Sequence, residues 1–193
     1  MPAIDQEREL VHTREIICKA YRRKDGLWEV EAKVCDEKAQ EVPFRSRPPV
    51  PAGGIMHLLS LTLVIDNEYT IQDARATTSI APWPDCGGTD ASYRQLIGLR
   101  IGPGFMQKVR QQVGGHLGCT HLSDLIGELA NTYIQATWPD RTARQWTLAA
   151  DPRQWPDQST LSFIGKCHAW RAGSETLRNE YPELVEGAPL PGQ

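Results

Sequence analysis

The spacing of hydrophobic side chains changes period part-way along the chain. In LWEVEAKVCD, Trp28, Val30, Ala32 and Val34 alternate with Leu27, Glu29, Glu31 and Lys33. A period of two predicts a strand with one buried face. The stretch HTREIICKAYRR precedes it, and Lys24-Asp25-Gly26 lies between. Asp25-Gly26 offers the positive φ of a tight turn, so His12 to Asp36 reads as a β-hairpin. Arg22-Arg23-Lys24 beside that turn reads as a solvated loop end, with anion contact the alternative. Residues 37–54 are a polar connector, and Pro48, Pro49 and Pro51 hold it extended. HLLSLTLVID and YTIQDARATTSI, joined at Asp66-Asn67-Glu68, predict a second hairpin of the same antiparallel sheet.

After the loop APWPDCGGTD the period becomes helical. Pro103 suits a first helical position, Phe105, Met106, Val109 and Val113 share a face, and Gly114-Gly115 ends the segment. A second helix from Thr120 places Leu122, Leu125, Ile126, Leu129, Ala130 and Tyr133 on one stripe, and Pro139 is expected to stop it. Residues 139–160 read as loop, with RTARQWTLAA able to add a helical turn. A last strand is expected in STLSFIGKCHAWRA, and residues 174–193 are expected to trail off through prolines. Strands followed by helices predict an α+β fold: a small antiparallel sheet, two hairpins plus a late strand, covered by two main helices. The expected organisation is a lead over 1–12, one domain over 13–182 and a tail over 183–193.

Composition narrows the classes. With 193 residues, 40% hydrophobic and 23% charged, the chain can bury a real core and is neither a disordered acidic segment nor a collagen-like repeat. A net charge of -3, from 21 Lys+Arg against 24 Asp+Glu, argues against a nucleic-acid partner. No apolar run approaches the ~20 residues of a membrane span. Met1 to Glu9 is polar, so no secretory signal is expected and the predicted location is cytoplasmic. There the five cysteines, at 18, 35, 86, 119 and 167 with no CxxC pair, should be reduced.

The richest chemistry lies in Gly114-Gly115-His116-Leu117-Gly118-Cys119-Thr120-His121-Leu122. A glycine-rich turn delivers Cys119 and His121 to a helix N-terminus, whose amides favour a thiolate acting as nucleophile or metal ligand. Cys86 sits in a Pro/Gly loop, and His57 follows Gly53-Gly54 at the mouth of a strand. His57, Cys86, Cys119 and His121, with Cys167 a fifth candidate beside His168, would suit tetrahedral zinc, or iron as an ion or an iron–sulfur cluster. Cys18 and Cys35 read as packing residues within strands. The leading expectation is therefore a metal-binding protein whose metal is structural, carried, or used in hydrolysis or lyase chemistry. A small-molecule substrate and a homo-oligomer stay open. Two alternatives stand beside it: an enzyme with Cys119 as nucleophile activated by His121 or His116, and a non-catalytic interaction module. No GxSxG, GxGxxG or Walker motif occurs.

The segments YRRKDGLWEVEAKVCDEK, AGGIMHLLSLTLVID, APWPDCGG, LIGLRIGPGF, GGHLGCTHLSDLIGELANTYIQ and KCHAWRAGS together resemble an uncharacterised bacterial family, a domain of unknown function marked by GCTHL. The likeness runs from about Arg14 to Pro182. It implies recurrence of Asp25-Gly26, His57, Cys86, Cys119, His121, Gln135 and Cys167. Where the family has an Asp-Met pair after the histidine, this chain has Leu58 and Leu59. More distantly, LTLVIDNEYTIQDARATT and the Cys-Gly loop after it are similar to the central hairpin of NifU-like iron–sulfur scaffolds. That likeness implies a small sheet covered by helices, with Cys86 and Cys119 at two scaffold cysteine positions. Ile55 and His57 stand where the first scaffold cysteine and its nearby Asp would be, which favours zinc or another single metal over a cluster.

Overall fold

The computed structural model describes residues 8–148 and 164–180. The lead over 1–7, the stretch 149–163 with the first part of the expected late strand, and the tail from 181 onward lie outside the described residues. Contacts divide the chain into two compact units, Met1–Ala136 and Thr137–Gln193.

In the first unit four strands form one antiparallel sheet in sequence order: β1 (His12–Arg22), β2 (Trp28–Lys38), β3 (Gly54–Ile65) and β4 (Ile71–Ile80). Both hairpins close through three-residue loops, with Arg23 N–H donating to the Leu27 carbonyl and Asp66 N–H to the Thr70 carbonyl. The third residue of such a loop needs a left-handed backbone. Gly26 meets that need at φ 83° without strain. Tyr69 meets it at φ 70°, held by an edge-to-face contact with Tyr133 and by the Arg100 guanidinium over its ring.

Register puts the apolar stripes on one face. Val34, Ala32, Val30 and Trp28 of β2 pair with Leu59, Leu61, Leu63 and Ile65 of β3, and all eight are buried. Two helices cover that face, α1 (Phe105–Val113) and α2 (Thr120–Leu148), packing Phe105, Val109, Val113, Leu122, Leu125, Ile126, Leu129 and Tyr133 into the same core. The α+β architecture is as expected from the hydrophobic periods. Pro103 lies just outside the first helix, in the turn before Gly104.

Four further details differ from the sequence reading. Residues Pro84–Leu96 form a 3-10 segment, where 84–90 were expected as loop. Tyr93 and Leu96, three apart and so aligned on one side of a 3-10 helix, are fully buried in the core. The stop expected at Pro139 is absent, and α2 continues through it over 29 residues. A proline forfeits its own N–H bond, here to the Gln135 carbonyl, at a cost of about 3 kcal/mol that the rest of a long helix can bear. In the second unit, residues 164–172 of the expected late strand are turns and bends rather than strand, as is Gly173 after them. Gly165 and Gly173 take left-handed backbone there, which interrupts extended structure. Finally, the stretch expected to trail off begins with a short helix, α3 (Glu175–Glu180), capped by Ser174 Oγ, which accepts from Leu177 N–H at 3.0 Å.

Candidate functional site

The buried stripe does not end with apolar residues. Two positions beyond Val34 on β2 stands Asp36, and two before Leu59 on β3 stands its cross-strand partner His57. Both therefore face the helix layer. Arg14 of β1 pairs with Asp36 from the other side, so Arg14, Asp36 and His57 form a row across three strands. Bulges flank His57: Met56 is the extra residue against β2, and β4 carries one opposite Leu58 and Leu59. Such irregularities re-aim side chains next to functional sites.

The glycine-rich turn completes the cluster. Gly114 and Gly118 lie where a Cβ would come within 2.2 Å of the Arg110 carbonyl oxygen and 2.3 Å of the Val113 carbonyl oxygen, so only glycine permits this tight reversal. Tyr93 then fixes the start of α2. Its hydroxyl accepts from Cys119 N–H at 3.0 Å, donates to the Cys119 carbonyl at 2.8 Å and contacts Ser123 Oγ at 3.0 Å. Burial pushes this phenol above the ordinary tyrosine range, keeping the proton that donates. So anchored, the first turn of α2 lays His121 against His57, ring centroids 4.0 Å apart and tilted by 34°.

Asp36 is the centre, only 3% exposed. Its Oδ2 lies 3.0 Å from His57 Nδ1, 3.9 Å from His121 Nε2 and 3.6 Å from an Arg14 guanidinium nitrogen. Its Oδ1 has no hydrogen-bond partner, although His12 Nε2 is 3.4 Å away. The His12 contact shows why. Its Nδ1 bonds the Glu37 carbonyl at 2.9 Å and must be the donor there. A neutral His12 then turns a bare Nε2 lone pair toward a bare carboxylate oxygen. Arg14 brings positive charge to the Oδ2 side, so it is Oδ1 that is left without a donor or a cation. Burial holds His57 below the ordinary histidine range; His121 and Arg14 add to this, and Asp36 works against it. Without a cation His57 Nδ1 donates to Asp36 Oδ2; a cation seated among Asp36 and the two imidazoles would replace that proton and be held by Nδ1.

Asp36, His57 and His121 each offer a ligand atom within 4.8 Å of the others, the one such group of three or more His, Cys, Asp or Glu among the described residues. Of the candidates read from the sequence, His57 and His121 are therefore brought together. Cys119 is adjacent, with Sγ 3.8 Å from His121 Nδ1, but outside that group. Cys86 is the third residue of the 3-10 segment, half-buried and likewise outside that donor group. Cys167 is exposed on a turn of the second unit. Asp36 and His12 were not anticipated. The usable signal for Asp36 was its phase: a carboxylate at the next inward position after Val34 had to be buried.

Two open depressions lie away from the cluster. The larger, of about 470 Å³, is on the opposite face of the sheet beside Ile17, Lys19, Lys33 and Leu58. No helix among the described residues is long and apolar enough to cross a membrane. A family model described as a protein of unknown function, DUF2889, matches residues 12–135, which holds every member of the cluster. No curated protein and no solved structure matches the chain.

Proposed function

The chain belongs to the family of unknown function DUF2889, and from its histidine–carboxylate cluster we propose that it binds a single divalent metal ion through His57, His121 and Asp36. The observation that carries this reading is the buried Asp36 carboxylate, with one oxygen lacking a hydrogen-bond donor and imidazole nitrogens around it. Arg14 pairs with the Oδ2 side of the carboxylate, and a cation bound at the cluster would supply the partner that Oδ1 lacks. Two imidazoles and one carboxylate suit zinc or iron(II). They do not suit an iron–sulfur cluster, which thiolates hold. The likeness to NifU-like scaffolds adds nothing to the choice, because Cys86 and Cys119 stay outside the donor group. Within the GCTHL segment, His121 is the ligand and Cys119 its neighbour. His12, with Nδ1 committed to a backbone carbonyl, is the candidate fourth ligand.

A bound ion of this kind would supply Lewis-acid polarisation of a small-molecule substrate. The protein's own part is orientation: Tyr93 fixes the helix start and the bulges aim His57. Five free thiols fit a reducing compartment such as the cytoplasm. The test is elemental analysis of protein purified without added metal. One ion per chain is expected, lost in both Asp36→Asn and His57→Ala and kept in Cys86→Ala. Folded protein that neither retains nor takes up zinc or iron(II) would end the proposal.

One contact favours a second reading. Cys119 Sγ, His121 and Asp36 are in series, at 3.8 Å and 3.9 Å, in the order nucleophile, base, orienting carboxylate. That reading predicts faster iodoacetamide labelling of Cys119 than of the exposed Cys167 at neutral pH. Slower labelling would remove it.

A further inference from the structure

The two edges of the sheet are treated differently. The open side of β4 is closed by the chain itself: Ile71 N–H donates to the Leu99 carbonyl, Gly98 N–H to the Ile71 carbonyl, Ile101 N–H to the Tyr69 carbonyl, and Thr78 N–H to Asp90. Nothing comparable covers β1 among the described residues, where β2 is the one strand that pairs with it. Over Thr13 to Tyr21 this edge is open among the described residues and exposes apolar side chains on both faces, Ile16 at 42% and Ile17 at 52%, with Tyr21 at 43%. A long, exposed, apolar edge strand is a template for another strand.

The free backbone groups can be assigned. At one end of the hairpin Arg23 N–H donates to the Leu27 carbonyl, and at the other Ala39 N–H donates to the Val11 carbonyl. Antiparallel ladders alternate bonded and non-bonded pairs. The odd-numbered residues of β1 therefore bond β2, and the even-numbered ones, among them Arg14, Ile16, Cys18 and Ala20, turn N–H and C=O outward.

We propose that two copies of this chain associate through β1, antiparallel about a two-fold axis at Ile17, into a continuous eight-stranded sheet. Only registers that pair even residues with even residues use the free groups. Shifting the axis to Glu15 or Lys19 sets like charges against each other, and to Cys18 sets Arg14 against Arg22. Centring on Ile17 pairs Ile17 with itself, Ile16 with Cys18, Arg14 with Ala20, Thr13 with Tyr21, and Glu15 with Lys19 twice over. Neither Glu15 nor Lys19 has an ion-pair partner among the described residues, whereas Glu29, Asp73 and Arg75 on the same face are paired. Opposite charges directly across a non-bonded pair are favourable, and the self-complementary pattern suits a two-fold interface. α2 covers one face of the sheet, from Asp36, His57 and the end of β3, where Tyr133 OH donates to the Asp66 carbonyl, across to β1, where Thr132 hydrogen-bonds the Cys18 thiol; the outward N–H and C=O groups of β1 lie in the plane of the sheet, to the side of that helix. This inference does not depend on a bound metal.

Sedimentation velocity of the full chain over a concentration series tests it, with circular dichroism as the folding control. A dimer is expected, and Ile17→Lys should weaken it at least tenfold in Kd by placing two ammonium groups on the axis. Glu15→Lys should weaken it by about tenfold, because two like-charge pairs replace two ion pairs. Adding Lys19→Glu to Glu15→Lys should restore dimerisation, because the exchanged charges again face their opposites. Hydrogen exchange on the unaltered protein gives a second readout: amides of Ile16, Cys18 and Ala20 should be protected at high concentration and lose protection on dilution. A monomer at all concentrations, a dimer indifferent to Ile17→Lys and Glu15→Lys, or even-numbered amides that exchange freely in the dimer would each overturn the proposal.

Discussion

Asp36→Asn separates a metal centre from a merely polar cluster, because the two predict opposite signs. The side chain keeps its shape, and the amide oxygen can still accept from His57 Nδ1, now 3.0 Å from the carboxylate. What disappears is the charge. Without metal, that removes a buried carboxylate oxygen that has no donor. Arg14, about a third exposed, can rehydrate. The metal-free Asp36→Asn variant should therefore melt at the same temperature as the parent or slightly above it. With zinc the order should reverse. Bonds of about 2.0–2.2 Å place tetrahedral ligand atoms roughly 3.3–3.6 Å apart. Distances here are 3.0 and 3.9 Å, and all three donors lie within 4.8 Å, so side-chain rotations are enough to close the shell. Zinc at 100 times its Kd adds about 2.7 kcal/mol to unfolding. For a chain of this length that is roughly 5–10 °C. Losing one ligand should weaken binding by at least about 100-fold, since even outer-shell partners are worth 10–100-fold. The same zinc concentration would then give the variant about 0.4 kcal/mol, or 1–2 °C. Calorimetric scans of both proteins, with zinc and with chelator, measure all four temperatures. Equal zinc shifts in the two proteins, or none in either, would refute the reasoning.

Three further outcomes follow from the same geometry. Tyr93→Phe strips a buried acceptor from Cys119 N–H and a donor from the Cys119 carbonyl, and should cost about 1–3 kcal/mol in urea unfolding; an unchanged midpoint would mean that the hydroxyl does not hold the start of α2. Gly118→Ala puts a methyl 2.3 Å from the Val113 carbonyl oxygen and 3.1 Å from the Tyr93 hydroxyl, so it should lose about 1–3 kcal/mol or more and weaken zinc binding with it, both read in one zinc-titrated melt. Burial holds the Cys18 thiol above its ordinary range, so less of it is thiolate at neutral pH than for a free cysteine. Its alkylation should lag behind that of exposed Cys167 and keep accelerating with pH after an unshifted thiol has levelled off, and equal rates by mass spectrometry would contradict the burial.

Most of the scaffold could be read from periodicity, because each stripe obeys a simple local rule. Val30, Ala32 and Val34 alternate, Leu122 to Tyr133 repeat helically, and Gly26 and Gly114 punctuate. What failed was context. Pro139 breaks an isolated helix more readily than one of 29 residues. The run of Pro, Gly and Asp over 84–90 looks like loop until Tyr93 and Leu96 are seen to share a face. The candidate site was half legible. Glycines and helix N-terminus pointed to His121, and Gly53-Gly54 to His57. Their convergence on Asp36 depends on strand register, which pairs Asp36 with His57 from opposite ends of a long proline-rich connector. Cysteines drew attention because sulfur is chemically conspicuous, whereas Asp36 and His12 look ordinary until their phase in the sheet is counted.

The position of Asp36 and His57 has an evolutionary consequence. They occupy places that the core would otherwise fill with valine or leucine, and exchanging a buried ionic group for well-packed hydrocarbon is often neutral or stabilising. Natural or laboratory selection for thermal robustness alone would thus tend to erase the cluster while leaving the architecture intact. Relatives that carry aliphatic residues at both places would be durable descendants that had abandoned the chemistry, and their melting points would measure how much hardiness this chain forgoes.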